Sequence, residues 1–164
     1  MAERPLAIID VDGVVADVRH RLHHIKRKPK DWDAFFAAAD RDGPHREGIE
    51  LVQELAEDHD VVFLTGRPRR LHGDTVRWLD RHGIGGHRVL MRPDGDRRPA
   101  AVVKVELLEE LARGRQVAVV IDDDPVVLRA MDAAGHTTRH ADWELRGPEQ
   151  ERVLRTAQER EGRT

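Results

Sequence analysis

The sequence predicts an α/β protein in which a parallel sheet lies between two layers of helices. Two observations carry that prediction. Short apolar runs rich in Val, Ile and Leu alternate with stretches of helical, amphipathic spacing, the pattern of strands buried on both faces and joined by crossover helices. The runs also end in residues that carry chemistry, at the sheet edge where α/β proteins bind ligands. A length of 164 residues suits one domain over 1–164, with a small helical cap inserted over about 18–47.

The first strand is Leu6 to Ile9, closed by Asp10, Val11, Asp12 and Gly13. Asp31 reads as the N-cap of a short helix with Trp32, Phe35, Phe36 and Ala39 on one side, broken at Asp42-Gly43-Pro44. Ile49, Val52, Leu55 and Ala56 mark an amphipathic helix, and Val61 to Leu64 the second strand. Thr75 to His82 is a helix stopped by Gly83, and Val89 to Met91 a weaker third strand. A helix from about Val103 to Ala112 precedes Gly114. Val117 to Ile121 is the fourth strand, and Pro125 opens a helix that ends at Gly135. His136 to Arg139 gives a short fifth strand, a charged helix starts near Pro148, and the tail from Glu159 is expected to fray.

Composition narrows the function. Net charge is −3, which gives no global basic field. The chain lacks cysteine, so disulfides, thiolate metal sites and a cysteine nucleophile are excluded. There is no signal-like apolar N-terminus and no bilayer-spanning run, so a soluble cytoplasmic protein is expected. Aromatic residues make up only 4%, which argues against a stacking platform for nucleic acid bases.

The strand ends decide the chemistry. The first delivers Asp10 and Asp12, the second Thr65, Gly66 and Arg67, and the fourth Asp122, Asp123 and Asp124; Lys104 lies near the start of the preceding helix. Carboxylates after a buried strand are costly unless a cation or a donor receives them. Such an aspartate can ligate a hard cation such as Mg2+, attack phosphorus, or do both. Acids for a metal, a hydroxyl beside backbone N–H groups, and Lys with Arg for oxyanions together suit a phosphoryl group.

The order Asp-x-Asp-Gly-x-x-x-Asp, Leu-Thr-Gly-Arg, Lys, Ile-Asp-Asp resembles the four motifs of the haloacid dehalogenase superfamily of phosphotransferases, over residues 6–124. The resemblance implies a Rossmann-like fold with Asp10 as nucleophile, Asp12 as general acid/base, Thr65 as the motif II hydroxyl and Lys104 as the motif III base. It implies Mg2+ held by Asp10, the backbone carbonyl of Asp12, Asp122 and Asp123, the last through water. Val14 stands where Thr is frequent, and an acid at Asp12 distinguishes phosphatases from dehalogenases.

A narrower resemblance is to the phosphatase domains of polynucleotide kinase/phosphatases. It rests on Lys30 to Phe36, Thr65-Gly66-Arg67, Thr75 to Leu79, Met91 to Asp96 and Val103-Lys104. It implies removal of 3′-phosphates from nucleic acid ends or nucleotides, with Thr65, Gly66, Arg67 and Arg21 toward the substrate. No kinase P-loop motif is present, and Ala100-Ala101 replaces a stretch often acidic in that family.

Other residues have plainer readings. Asp124 suits an N-cap before Pro125, and Asp17 either supports the loop or is solvated. His20 and His24 lack a third ligand. Arg19, Arg21, Lys26, Arg27, Lys28 and Lys30 form a run with no acid, either a solvated surface or a polyanion contact. Arg92, Arg97 and Arg98 read as a polar loop, and the three aromatics as the core of the cap. A receiver domain would place its lysine after the hydroxyl on the last strand, the wrong order here. A small-nucleotide phosphatase and a catalytically silent binding module are the alternatives, and silent members commonly lose one of the two acids retained at Asp10 and Asp12.

Overall fold

In the computed structural model, which describes residues 2–164, the chain begins with β1 (Leu6–Ile9), β2 (Ala16–Asp17) and a 3-10 segment, Arg19–Ile25. Next come α1 (Trp32–Ala37), β3 (Gly43–Pro44), α2 (Arg46–Leu55), β4 (Asp60–Pro68) and α3 (His72–Arg81). The second half holds β5 (Arg88–Arg92), α4 (Ala100–Leu111), β6 (Val117–Asp122), α5 (Pro125–Ala133), β7 (Thr138–His140) and α6 (Pro148–Arg155). Five strands form one sheet in the order β5-β4-β1-β6-β7, every pair parallel. β2 and β3 make a small antiparallel pair. Among the described residues, no helix is long and apolar enough to cross a membrane.

The period-two alternation of the strands builds two cores. Ala7, Ile9, Val61 and Phe63 face Leu51 and Val52 of α2 and Trp78 and Leu79 of α3. Leu6, Ile8, Val62, Leu64 and Val120 face Leu108 of α4 and Val127 and Met131 of α5. Both sheet faces are covered, which is the three-layer arrangement expected of continuous apolar strands. Truncating a fully buried leucine such as Leu108 costs about 2–5 kcal/mol.

A third core lies above the sheet edge. Val18, Leu22, Ile25, Phe35 and Phe36 pack against Val153, Leu154 and Ala157 of the C-terminal segment. Asp31 caps α1 by accepting from the Ala34 N–H at 2.9 Å.

Several boundaries differ from the sequence expectation. β4 continues to Pro68, carrying Thr65 to Arg67 inside the strand. α4 starts at Ala100, placing Lys104 within its second turn. β7 begins at Thr138, where pairing to β6 starts. The tail does not fray: α6 passes into a π turn over Thr156–Arg160, and Gly162 and Thr164 are buried. A β-carbon on Gly162 would overlap the Arg97 carbonyl, and one on Gly66 would overlap Thr164. These are contacts to distant backbone, which leave no periodic mark in the sequence.

Candidate active site

Parallel pairing levels the chemistry-bearing strand ends. Ile9 sits beside Ile121 on one side and Phe63 on the other, so Asp10, Asp122 and Thr65 emerge at one edge. The Asp10 N–H donates to the Ile121 carbonyl at 2.9 Å. Asp10, Asp122 and Asp123 are buried and offer carboxylate oxygens that all lie within 4.8 Å of one another. Gly13, at φ +82°, makes the loop possible. Its left-handed backbone suits glycine, and a β-carbon there would overlap the Asp123 carboxylate.

Lys104 reaches into this cluster from α4. Its Nζ is 2.7 Å from Asp122 Oδ2 and 3.0 Å from Asp10 Oδ1. Burial alone would depress the ammonium, but the two carboxylates override it and raise its pKa, so Lys104 stays charged. One lysine does not neutralise the group. Burial, then Asp122, push Asp10 well above the ordinary carboxylate range despite Lys104. Asp122 is likewise raised, chiefly by burial. Asp10 Oδ2 and Asp123 Oδ1 are buried without a hydrogen-bond partner. Hard oxygen donors, an excess of negative charge and two orphaned oxygens fit a hard divalent cation.

Asp12 points into a different environment, outside the three-acid cluster. Its Oδ1 accepts from Arg67 Nη2 at 2.6 Å and Arg21 Nη2 at 3.0 Å. Burial would raise its pKa, but Arg67 and Arg21 outweigh that and hold it at about 2. Behind the arginines lies Asp42, which accepts from Arg21 Nε at 2.8 Å and Arg67 Nη2 at 3.1 Å. His20 Nε2 also lies 2.6 Å from Asp42, and the Trp78 indole N–H donates to the Asp42 carbonyl at 2.9 Å. Sequence reasoning treated Asp42 only as a helix breaker. An acid placed after an apolar helix face and before Gly-Pro gave no sign that two buried arginines would converge on it.

Asp123 is held from the C-terminal side. Arg146 Nη2 donates to its Oδ2 at 2.7 Å, and Arg155 Nη2 donates to its carbonyl at 2.9 Å. Burial opposes ionisation of Asp123, yet Arg155 and Arg146 lower its pKa overall. Arg146 also pairs with Glu144, which in turn meets His45 Nε2 at 3.0 Å. Neither arginine is marked by the sequence, because Arg146 lies in the loop before α6 and Arg155 at the end of that helix, both far along the chain from Asp123. Asp124 is the N-cap of α5, accepting from the Val126 N–H at 2.9 Å. Asp17 binds Arg19, which holds its carboxyl at about 2.

Thr65 is buried, and its hydroxyl accepts from the Arg67 N–H at 3.2 Å. Arg67 also donates to the Thr75 hydroxyl at 3.2 Å. Gly66 lies under the C-terminal tail. Arg92 is not part of a polar loop. It is fully buried at the end of β5, and its guanidinium donates to the carbonyls of Gly66, Asp96, Arg98 and Thr164. All of these acceptors are backbone oxygens.

The family model for the polynucleotide kinase PNKP phosphatase domain matches residues 5–140. The chain belongs to this family. It is thus a phosphatase domain of the haloacid dehalogenase type, and the family match ends before Glu144, Arg146 and Arg155. A protein of Autographa californica nuclear polyhedrosis virus named "Putative bifunctional polynucleotide kinase/RNA ligase" is 31% identical over 130 residues. The alignment covers 76% of this chain but 17% of the viral protein, so the chain spans a small part of that relative's length. Among solved structures, a chain of a Pnkp1/Rnl/Hen1 RNA repair complex superposes with a TM-score of 0.70 at 22% identity, over 85% of this chain and 44% of that one. A haloacid dehalogenase-like hydrolase from Streptococcus pneumoniae gives 0.65 at 12% identity, over 93% and 92%. At these identities the likeness is one of fold.

Proposed function

We propose that this phosphatase domain is a Mg2+-dependent phosphomonoesterase that removes 3′-phosphates from polynucleotide ends, with Asp10 as nucleophile. The observation that carries the proposal is the buried Asp10, Asp122 and Asp123 cluster with Lys104 across it and two carboxylate oxygens left without partners. Asp10, Asp122 and Asp123 would hold the cation, with the backbone carbonyl of Asp12. Bound there, Mg2+ would supply neutralising charge to phosphoryl oxygens.

Asp10 attacks phosphorus, the bond from phosphorus to the nucleoside oxygen breaks, and an aspartyl-phosphate forms. Asp12 gives its proton to the departing oxygen. It then takes a proton from the water that attacks phosphorus, releasing inorganic phosphate and regenerating Asp10. Lys104 and the Thr65 hydroxyl bear on the phosphoryl oxygens. In the structure Asp12 is ionised under Arg21 and Arg67, so it must first take up a proton from solvent, which requires those contacts to loosen. An incoming phosphate competes for the same guanidinium groups, and Arg21 Nη1 is already without a partner. The two arginines thereby link substrate arrival to the proton on Asp12. Residues 18–47 act as a small cap over this edge.

The test is a panel of phosphomonoesters assayed with Mg2+ and with chelator. A 3′-phosphorylated oligonucleotide should be hydrolysed in preference to its 5′-phosphorylated counterpart, only with Mg2+, and not by Asp10→Asn. Faster turnover of small nucleotides than of any oligonucleotide would overturn the polynucleotide assignment. Full activity in Asp10→Asn would overturn the nucleophile.

A further inference from the structure

The basic run after the first strand is largely neutralised. Arg19 pairs with Asp17 at 2.6 Å, Lys26 with Glu149 at 3.0 Å, Lys30 with Glu161, and Arg21 with Asp12 and Asp42. Three arginines far apart in sequence behave differently. Among the described residues, Arg70, Arg97 and Arg163 have no carboxylate ion-pair partner, whereas Arg98, beside Arg97, pairs with Asp96 and Glu106.

These three meet at the seam between α1, the loop after β5 and the C-terminal tail. The Arg163 guanidinium lies 4.6 Å from the Trp32 ring centroid, and that of Arg70 lies 5.1 Å from Phe36. The two rings stack with centroids 6.2 Å apart, so they join the two cations in one row. Gly162 presses its backbone on the Arg97 carbonyl, bringing Arg97 to the same place. The Arg163 Nε is buried with no partner. Burial, then Arg97 and Arg70, lower the pKa of Arg163, against weaker help from Glu161 and Asp33; Glu161 is itself engaged by Lys30. Asp94 is nearby, bound to the Arg70 N–H at 3.0 Å.

A guanidinium laid on an aromatic face keeps its N–H edge free, and that edge matches two oxygens of a phosphate. Crowded guanidinium groups that form no ion pair with the nearby Asp33, Asp94 and Glu161 favour a ligand that brings several negative charges. The patch adjoins the catalytic edge, because Arg70 follows Arg67 closely and Thr164, beside Arg163, covers Gly66. We infer that Arg70, Arg97 and Arg163 form a subsite for the phosphodiester backbone of single-stranded polynucleotide. This deepens the proposed function and rests on it for the direction in which the strand leaves the site. The inference moves the polyanion contact from residues 18–30 to a surface assembled by folding. Arg163 on Trp32 makes the contact one of charge rather than of base identity.

The experiment measures anisotropy of a labelled ten-nucleotide RNA and of the same sequence as DNA, both ending in a 3′-hydroxyl so that nothing reacts. For single strands, the logarithm of affinity falls with the logarithm of salt by about 0.7 per phosphate contacted. Arg70→Ala/Arg97→Ala/Arg163→Ala should lower that slope by about 2 and weaken binding about tenfold or more at low salt, for both nucleic acids. Arg27→Ala/Lys28→Ala should change the slope far less. The single exposed variant Arg97→Glu, with its fold verified by thermal melting, should weaken binding on its own. An unchanged slope in the triple variant and unchanged binding in Arg97→Glu would overturn the subsite. So would an equal loss in the Arg27/Lys28 variant. Turnover of a 3′-mononucleotide is measured in parallel. Hydrolysis without the arginine-dependent slope refutes the subsite alone, whereas the slope without hydrolysis refutes the phosphatase reading alone.

Discussion

Asp10 and Asp12 are separated by one residue, yet they lie in opposite electrostatic surroundings. Asp10 shares its space with Asp122, Asp123 and a single lysine, and burial with its acidic neighbours raises its pKa. Asp12 and Asp42 share theirs with two arginines, and Asp12 is held at about 2. The first region carries negative charge that it cannot satisfy internally. The second is balanced within itself. Residue type therefore does not set the role of an active-site carboxylate; its partners do. The unbalanced region has room for a cation's charge, while in the proposed mechanism the balanced one fixes the position of the proton carrier Asp12.

The largest expected effect comes from removing the charge of the unbalanced region. Asp10→Asn should abolish turnover, while its melting temperature holds or rises because a crowded buried carboxylate is gone. A clear fall in melting temperature would mean that the Lys104 pair outweighs the crowding. Breaking the balanced region should act on stability first. Asp42→Ala leaves Arg21 and Arg67 short of an acceptor, with an expected loss of about 3–5 kcal/mol, measured by denaturant unfolding. Activity should fall with it, and a loss below about 1 kcal/mol would show that Asp42 does not hold the arginines in place.

Smaller effects sharpen the contrast. Arg155→Ala removes contacts to both the carbonyl and the carboxylate of Asp123, and calorimetry should show Mg2+ affinity weakened about 10-fold, as for other groups that orient ligands. At saturating Mg2+, kcat should stay near its original value, whereas a large loss of kcat would place Arg155 on the substrate. The smallest effect is a pH dependence at Glu159. Burial, then Asp124, push its carboxyl up to about 8. A raised carboxyl pKa means the folded state holds the proton that the unfolded chain releases near its ordinary value of 4.5. Stability should therefore decline as pH rises from about 4.5 to about 8. Glu159→Gln should flatten that decline in melting temperature, and an unchanged slope would exclude the raised pKa.

The strands and the acids at their ends were legible because they obey local rules. A β-branched run closed by Asp10, or Pro125 after Asp124, states its structure within a few residues. Lys104, Asp122 and Thr65 were legible by spacing and order. The support around them was not. Asp42, Arg92, Arg146 and Arg155 act through contacts made only after the sheet edge, the segment after β2 and α6 have met. The docked tail escaped notice for the same reason, and so did the neutralised basic run, whose partners Glu149 and Glu161 lie far along the chain.

The claim that joins these regions is that Asp10 attacks phosphorus while Asp12 moves the proton. Rapid quenching of the protein with a phosphomonoester that leaves as a stable anion, in the presence of Mg2+, tests it directly. The phosphoenzyme should appear with wild-type protein and map to Asp10 by peptide analysis. Asp12→Asn should form it and then hydrolyse it slowly, so that it accumulates, and Asp10→Asn should form none. Turnover with no phosphoenzyme in either protein, or a phosphate mapped to a residue other than Asp10, would contradict the account.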